Sequence, residues 1–259
     1  MSTPRRVLVT GSTGTIGSLL AERLQEGYEV IGHGRTARPE ASPPVRGADL
    51  TDFAAVLALM EGVDTVVHLA GAASPEAEWE AVLGANIIGT RNVLEAARVA
   101  GVRRVVHASS NHVMGMYDRY EEWPVYPHHH PRPDSLYGVS KAFGETLGRY
   151  YFDEYGLSFI ALRIGWVAED PTVADLDVLH AMWLSEDDTE RVVRSAIEAD
   201  VDFGIHYAIS DNPNRRWDLT STMLELGYRP QDSWADEAPG GEDVVEQGEP
   251  VPNDWPEGS

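Results

Sequence analysis

Apolar residues along most of the chain come in two alternating patterns: short continuous runs and runs at helical spacing. Arg5 and Arg6 lead into Val7, Leu8, Val9 and Thr10, glycines follow at once, and Ile16, Leu19, Leu20 and Leu24 then recur on one helical face. That pattern predicts strand, turn and helix. It repeats with Glu29 to Gly32, Thr65 to Leu69, Arg104 to Ala108 and Ser158 to Arg163 as strands, and Phe53 to Met60, Val82 to Ala100 and Leu136 to Tyr155 as helices. Residues 33–48, rich in Pro, Arg and Ala, read as a loop. Met114 to Asp134, with its prolines and histidines, reads as a long irregular connection of the kind that commonly lines a site. Strands alternating with helices at this pitch predict an α/β fold built on a doubly wound parallel sheet.

The pieces Leu176 to Leu184, Thr189 to Asp200 and Ile205 to Ser210 are shorter and interrupted. They are expected to form a small substrate lobe, contributed mainly by residues 164–231, over the carboxyl edge of the sheet. Residues 1–231 would then be one nucleotide-binding unit. From Asp232 onward there are nine acidic residues and no basic ones, with several Gly and Pro. This composition predicts an acidic, largely disordered tail over 232–259, with Trp234 and Trp255 as local docking points.

Composition narrows the partners. A net charge of −22 repels nucleic-acid phosphates and anionic membranes, so neither is expected to bind. Such a surface also fits a salt-adapted host, where ions screen its self-repulsion. The absence of cysteine excludes disulfides, thiolate catalysis and cysteine-ligated zinc. No run of about 18 apolar residues and no apolar signal core occur, so a cytoplasmic protein is expected. His128, His129 and His130 are consecutive and cannot easily converge on one ion, so no metal is expected. Trp166, Trp183 and Trp217 could stack on a ring, although core packing is their more frequent fate.

Of the 20 lysine and arginine residues only Lys141 is lysine, and it lies four residues after Tyr137. On a helix the two share one face. A compact cation favours the phenolate of a nearby tyrosine, which suits proton exchange with an alcohol or carbonyl oxygen. Upstream, the strand from Arg104 runs into Ser109, Ser110, Asn111 and His112, a polar cluster whose serine could orient the same substrate oxygen.

The turn Gly11, Ser12, Thr13, Gly14, Thr15, Ile16, Gly17 sits between the first strand and the first helix, where glycines let a backbone approach a pyrophosphate and the helix's N–H groups meet it. At the end of the second strand an acid that would hold a ribose 2′-hydroxyl is missing, and Arg35 follows, with Arg38 close behind. NADP is therefore favoured over NAD, with Arg35 as a solvated loop residue the alternative. Asp49 and Leu50 could meet the adenine ring.

These motifs resemble the extended short-chain dehydrogenase/reductase family, also called the NAD-dependent epimerase/dehydratase family. The likeness covers roughly residues 5 to 230 and rests on Gly11, Gly14 and Gly17, Asp49-Leu50, His68-Leu69-Ala70-Gly71, Asn86 to Thr90, Ser109-Ser110, Tyr137-x-x-x-Lys141 and Arg163-Ile164-Gly165. Within the family, Ala108 to His112, Arg132 to Lys141 and Met182 to Asp188 are similar to the uronate dehydrogenases and related haloarchaeal sugar dehydrogenases, which oxidise a cyclic sugar at its anomeric carbon to a lactone. The resemblance implies a nicotinamide cofactor held by the glycine turn (Gly11, Thr13, Gly14, Thr15, Ile16, Gly17), Arg35, Asp49, Leu50, Leu69, Ala70, Gly71, Asn86, Ser109, Tyr137, Lys141 and Ile164. It implies Tyr137 as base, Ser110 as holder of the reacting oxygen and Lys141 as tuner of Tyr137. Ser74, Ser110, Asn111, His112 and Tyr137 would then contact a sugar, and homo-oligomers through the long helices are possible.

Two departures stand out. The uronate enzymes carry an arginine about five residues before the tryptophan matching Trp183, where this chain has Val178, and no arginine occurs between Arg163 and Arg191. Either the substrate is a neutral aldose or another cation grips it. The missing acid after the second strand is the other departure. Two further readings keep the same residues: a nucleotide-sugar epimerase or carbonyl reductase, and a non-catalytic cofactor-binding sensor.

Overall fold

The computed structural model describes residues 4–237. The chain runs through β1 (Arg6–Thr10), α1 (Thr15–Arg23), β2 (Glu29–Gly34), β3 (Val45–Gly47), α2 (Phe53–Leu59), β4 (Thr65–His68), α3 (Trp79–Ala81), a π-helical stretch (Val82–Ile88), α4 (Gly89–Ala100) and β5 (Arg104–Ser110). A 3₁₀ turn (Asn111–Met114) and α5 (Gly115–Arg119) precede α6 (Leu136–Tyr155) and β6 (Ser158–Ile164). Then come β7 (Trp166–Val167), a 3₁₀ turn (Pro171–Val173), α7 (Asp177–Ala181), β8 (Trp183–Leu184), α8 (Glu186–Glu198), β9 (Phe203–Ala208), α9 (Thr220–Glu225) and α10 (Trp234–Glu237).

Seven strands form one parallel sheet in the order β3-β2-β1-β4-β5-β6-β9, the doubly wound architecture that the alternation predicts. Successive residues of a strand face opposite layers, and both layers are apolar. Val7 and Val9 of β1 pack with Leu20 of α1, Leu24 just beyond it, and Val192 and Val193 of α8, while Leu8 faces Val56 of α2 and Val93 and Leu94 of α4. From β1 the chain moves outward to β2 and β3 and then returns to β4 on the other side. The strand order therefore reverses between β1 and β4, which opens a crevice at their carboxyl ends.

The structure corrects several expectations. The loop over residues 33–48 contains the three-residue edge strand β3, in register with β2 through Gly32↔Val45 and Gly34↔Gly47. Three residues behind two prolines are too few to show a period. The connection after β5 is not wholly irregular, since 3₁₀ and α turns occupy Asn111–Arg119. The lobe expected from 164–231 gives up its two best elements, because β9 is the seventh strand of the main sheet and α8 packs on α1. What covers the carboxyl edge is a separate cluster of Val113, Met114, Val125, Ala181, Ile209 and Trp217. Trp183 and Trp217 are 2% exposed and are core rings, as expected for most such tryptophans.

The first residues of the acidic stretch are also ordered. Asp232 accepts from Ser185 and from Arg191 (3.0 Å), its N–H donates to Asp188 (3.1 Å), and Trp234 stacks on His180 at 4.4 Å. Charge density alone misses these partners. The rest of the tail, with Trp255, lies outside the described residues. Among the described residues no helix is long and apolar enough to cross a membrane, and no group of histidines and acids could hold a metal ion.

Candidate active site

The glycine turn is shaped for close approach. Gly11 has φ 71°, and a Cβ on Gly17 would meet the Gly11 carbonyl oxygen at 2.0 Å, so neither position accepts a side chain. Gly14 differs: its bare face meets nothing nearer than 3.5 Å. It is the N-cap of α1, no side chain caps the helix there, and no acid stands in the first turn. The N–H groups and positive end of α1 are thus open to an anion, which is what a dinucleotide's pyrophosphate requires. Thr13 and Thr15 are exposed around this opening and Ile16 is half-buried.

The walls are fixed by hydrogen bonds. Thr10 Oγ1 accepts from the backbone N–H groups of Leu69 (3.1 Å) and Ala70 (3.2 Å) and pairs with His68 Nδ1 (2.8 Å), tying β1 to the loop after β4. Asn86, from the π-helical stretch, accepts from Ala72 N–H (2.7 Å) and donates to Ala72 carbonyl (3.1 Å) and Ser140 Oγ (2.8 Å). Ser140 in turn donates to the Tyr137 carbonyl at 2.7 Å. Asn86 is therefore a brace that holds the loop carrying Gly71 against α6, with both amide hydrogens engaged.

At the far end of the crevice Arg35 is exposed beyond β2, and Asp49 accepts from Thr51 N–H (2.9 Å) and Oγ1 (2.8 Å). These bonds, with a smaller pull from Arg35, hold the Asp49 carboxyl below the usual range. Leu50 is buried, and its carbonyl accepts from Asn92 (2.8 Å).

The groups expected to react converge at the carboxyl ends of β5 and β6. Ser135 caps α6 by accepting from Gly138 N–H at 3.1 Å, and one turn inside that cap Tyr137 and Lys141 point to the same side. Lys141 Nζ lies 5.6 Å from the Tyr137 ring centroid and donates to the Ala108 carbonyl at 2.7 Å. Burial pulls the Lys141 ammonium down to about 8. Burial also pushes the Tyr137 phenol up, and a hydrogen bond with Ser110 pulls it partly back. Loss of water around the ring thus outweighs the hydrogen bond from Ser110, and the phenol stands above its ordinary value in this structure.

Ser109 and Ser110 part company, as neighbours on a strand must. Ser110 faces Tyr137, whereas Ser109 turns away and donates to Glu145 at 2.6 Å. Glu145 also receives two bonds of 2.8 Å from Arg163, and both residues are 3% exposed or less. Only the backbone of Ser109 can therefore serve the crevice. Ile164, at the end of β6, is 8% exposed within the first core layer.

Asn111 is 4% exposed, and neither its carbonyl oxygen nor its amide nitrogen has a partner. His112 is half-buried with its ring edge-on to Tyr137 at 5.7 Å. Ser74 donates to Glu76, and the field of His112 helps to hold the Glu76 carboxyl low, which places the loop of Ser74 near the same mouth. His128 and His129 instead stack on Tyr126 and Tyr117 in the connection before α6.

Sequence reasoning assigned no role to Glu145 or Asp134. Glu145 lies one turn beyond Lys141, so the periodicity that linked Tyr137 to Lys141 would have found it. Asp134, which meets His112, carries no local signal because its partner is 22 residues away.

A glycine-rich turn at a strand-order reversal, facing a serine, a tyrosine and a lysine, defines a dinucleotide-binding oxidoreductase fold of the doubly wound kind. The model of the NAD dependent epimerase/dehydratase family matches residues 7–168, and the chain belongs to that family. It is 39% identical over 247 residues to the NAD-dependent glucose-6-phosphate dehydrogenase of Haloferax volcanii, covering 89% of this chain and 94% of that protein. The L-arabinose 1-dehydrogenase (NAD(P)(+)) of the same organism is 39% identical over 253 residues, covering 89% and 98%. Among solved structures, a mutant of Agrobacterium tumefaciens uronate dehydrogenase complexed with NAD superposes with a TM-score of 0.82 at 34% identity, covering 96% of this chain and 92% of that one.

Proposed function

We propose that this chain is a nicotinamide-dinucleotide-dependent sugar 1-dehydrogenase that oxidises the anomeric carbon of a cyclic sugar to a lactone. The observation that carries the reading is the convergence of Ser110, Tyr137 and Lys141 beside the open N-terminus of α1. Bound in the crevice, the nicotinamide supplies the acceptor for the two electrons and the hydrogen on the anomeric carbon. The protein's own residues manage the oxygen and its proton: Ser110 orients the anomeric hydroxyl and Tyr137 receives its proton. Lys141 presents a buried ammonium on the same helical face, for the cofactor's ribose and the charge developing on the phenol.

Asn111 supports a polyhydroxylated substrate. A buried amide with both ends unpaired costs about 1–3 kcal/mol per group, and a sugar offers both the donors and the acceptors it lacks.

The favoured substrate is a neutral aldose. Val178, where an anion clamp would stand, packs against the core over the carboxyl edge. Nearby cations are paired: Arg132 with Glu122, Arg163 with Glu145, and Arg216 with Asp118 and Asp177. The cofactor reading keeps both dinucleotides, with Arg35 favouring NADP. Incubation with aldoses, uronates and hexose phosphates in molar salt, with NAD and with NADP, should accumulate reduced cofactor chiefly with neutral aldoses. Tyr137→Phe should still bind cofactor while turnover falls by about 10²–10⁴. Reaction with anionic sugars alone would reverse the substrate assignment, and undiminished turnover of the variant would remove Tyr137 as base.

A further inference from the structure

His112 Nδ1 lies 3.0 Å from Asp134 Oδ1 and 2.8 Å from Oδ2. The carboxylate is held in place by a second donor, Ser135 Oγ, at 2.9 Å from Oδ1. The backbone adds a long hydrogen bond from Asp134 N–H to the His112 carbonyl at 3.4 Å. Room for this carboxylate exists only because position 115 is glycine: a Cβ there would stand 1.8 Å from Asp134 Oδ2. Two segments far apart in sequence are thus fitted to one imidazole at the edge of the Tyr137 ring.

A carboxylate facing Nδ1 decides where the imidazole carries its hydrogen. Asp134 only accepts, so Nδ1 must donate, and in the neutral ring the lone pair is left on Nε2. Nε2 makes no hydrogen bond to any described residue, and the side chain is 33% exposed. Glu76, held low chiefly by its bond from Ser74 and in smaller part by His112, is a second carboxylate near the same ring. A group approaching Nε2 meets an acceptor on a ring paired with one carboxylate and near another, which suits a hydroxyl and opposes a carboxylate or phosphate.

We infer that Asp134 is a positioning residue that locks His112 in the Nδ1–H tautomer, so that Nε2 accepts a hydrogen bond from a substrate hydroxyl and selects an uncharged sugar face there. This rests on the sugar dehydrogenase reading above.

The test combines activity with a spectrum that does not depend on activity. In ¹⁵N NMR of the imidazole nitrogens at alkaline pH, the resonances lost in His112→Ala should show the Nδ1–H tautomer in the wild-type chain. They should move toward the Nε2–H form in Asp134→Ala and stay near wild type in Asp134→Asn, whose carbonyl still accepts. In steady-state kinetics Asp134→Ala should raise KM for an aldose by about tenfold, the worth of one hydrogen bond, with cofactor Kd unchanged. In a His112→Ala background the same substitution should have no further effect. A KM loss that persists in that background, or an Nε2–H signature in the wild type, overturns the inference. If the wild type oxidises no sugar, the functional reading fails while the tautomer result still decides the Asp134 to His112 link.

Discussion

His68 and His107 stand side by side on β4 and β5, ring centroids 5.5 Å apart, both 1% exposed. Burial, with Lys141 adding a like charge, pulls His68 down to about 3 and His107 well below the ordinary range. His206 is brought to about 4, and His33 is lowered too, in each case by burial. All four depressed imidazoles take up protons only on unfolding, so stability is present above about pH 6.5 and is lost as pH falls. His68 and His206, with folded values of about 3 and about 4, each remove about 1.4 kcal/mol per pH unit below about 6.5, and His33 and His107 act in the same direction. Acid unfolding followed by circular dichroism should therefore have its midpoint between about pH 4.5 and 5.5. His206→Leu should reduce proton uptake on unfolding by about one. A midpoint below about pH 3.5 would mean these rings are not buried neutral.

Lys141 acts in the alkaline range. Its folded value of about 8 lies below the ordinary 10.5, so between those values the unfolded chain holds one more proton and stability rises with pH. Relative to Lys141→Met, the wild-type chain should gain up to about 3 kcal/mol between pH 8 and 10.5 in urea titrations. A constant difference across that window would place the ammonium in water.

Glu145 and Arg163 form the buried pair behind Ser109, and Arg163 also donates to the Pro127 carbonyl at 3.2 Å, tying down the connection before α6. Removing one partner leaves the other charged and dry. Glu145→Gln should lower unfolding free energy by about 3–5 kcal/mol, and the double variant Glu145→Gln, Arg163→Met should recover part of that loss. Denaturation midpoints of the three chains read this directly, and a double variant no better than the single one would contradict it.

Arg35 lies exposed past β2, where a 2′-phosphate would sit on the NADP reading. Arg35→Ala should reduce kcat/KM for NADP by about tenfold or more while changing NAD little, since a charged hydrogen bond is worth about 1.5–3 kcal/mol. Equal loss for both cofactors would return Arg35 to the solvated loop.

The sequence by itself determined the layers and the chemistry. Alternating periods set the parallel sheet, glycine spacing marked the tight turn before α1, and the solitary lysine one helical turn from Tyr137 marked the candidate reacting pair, because each signal is local and is written within a few residues. Tertiary structure alone decided the rest. It placed β9 and α8 in the main sheet and layers rather than over the site, turned Ser109 away from Ser110, and let burial outweigh the Ser110 hydrogen bond at the Tyr137 phenol. It also brought Asp134 to His112 and Glu145 to Arg163. Those outcomes depend on which distant segments exclude water from a given group, and desolvation has no signature in residue order.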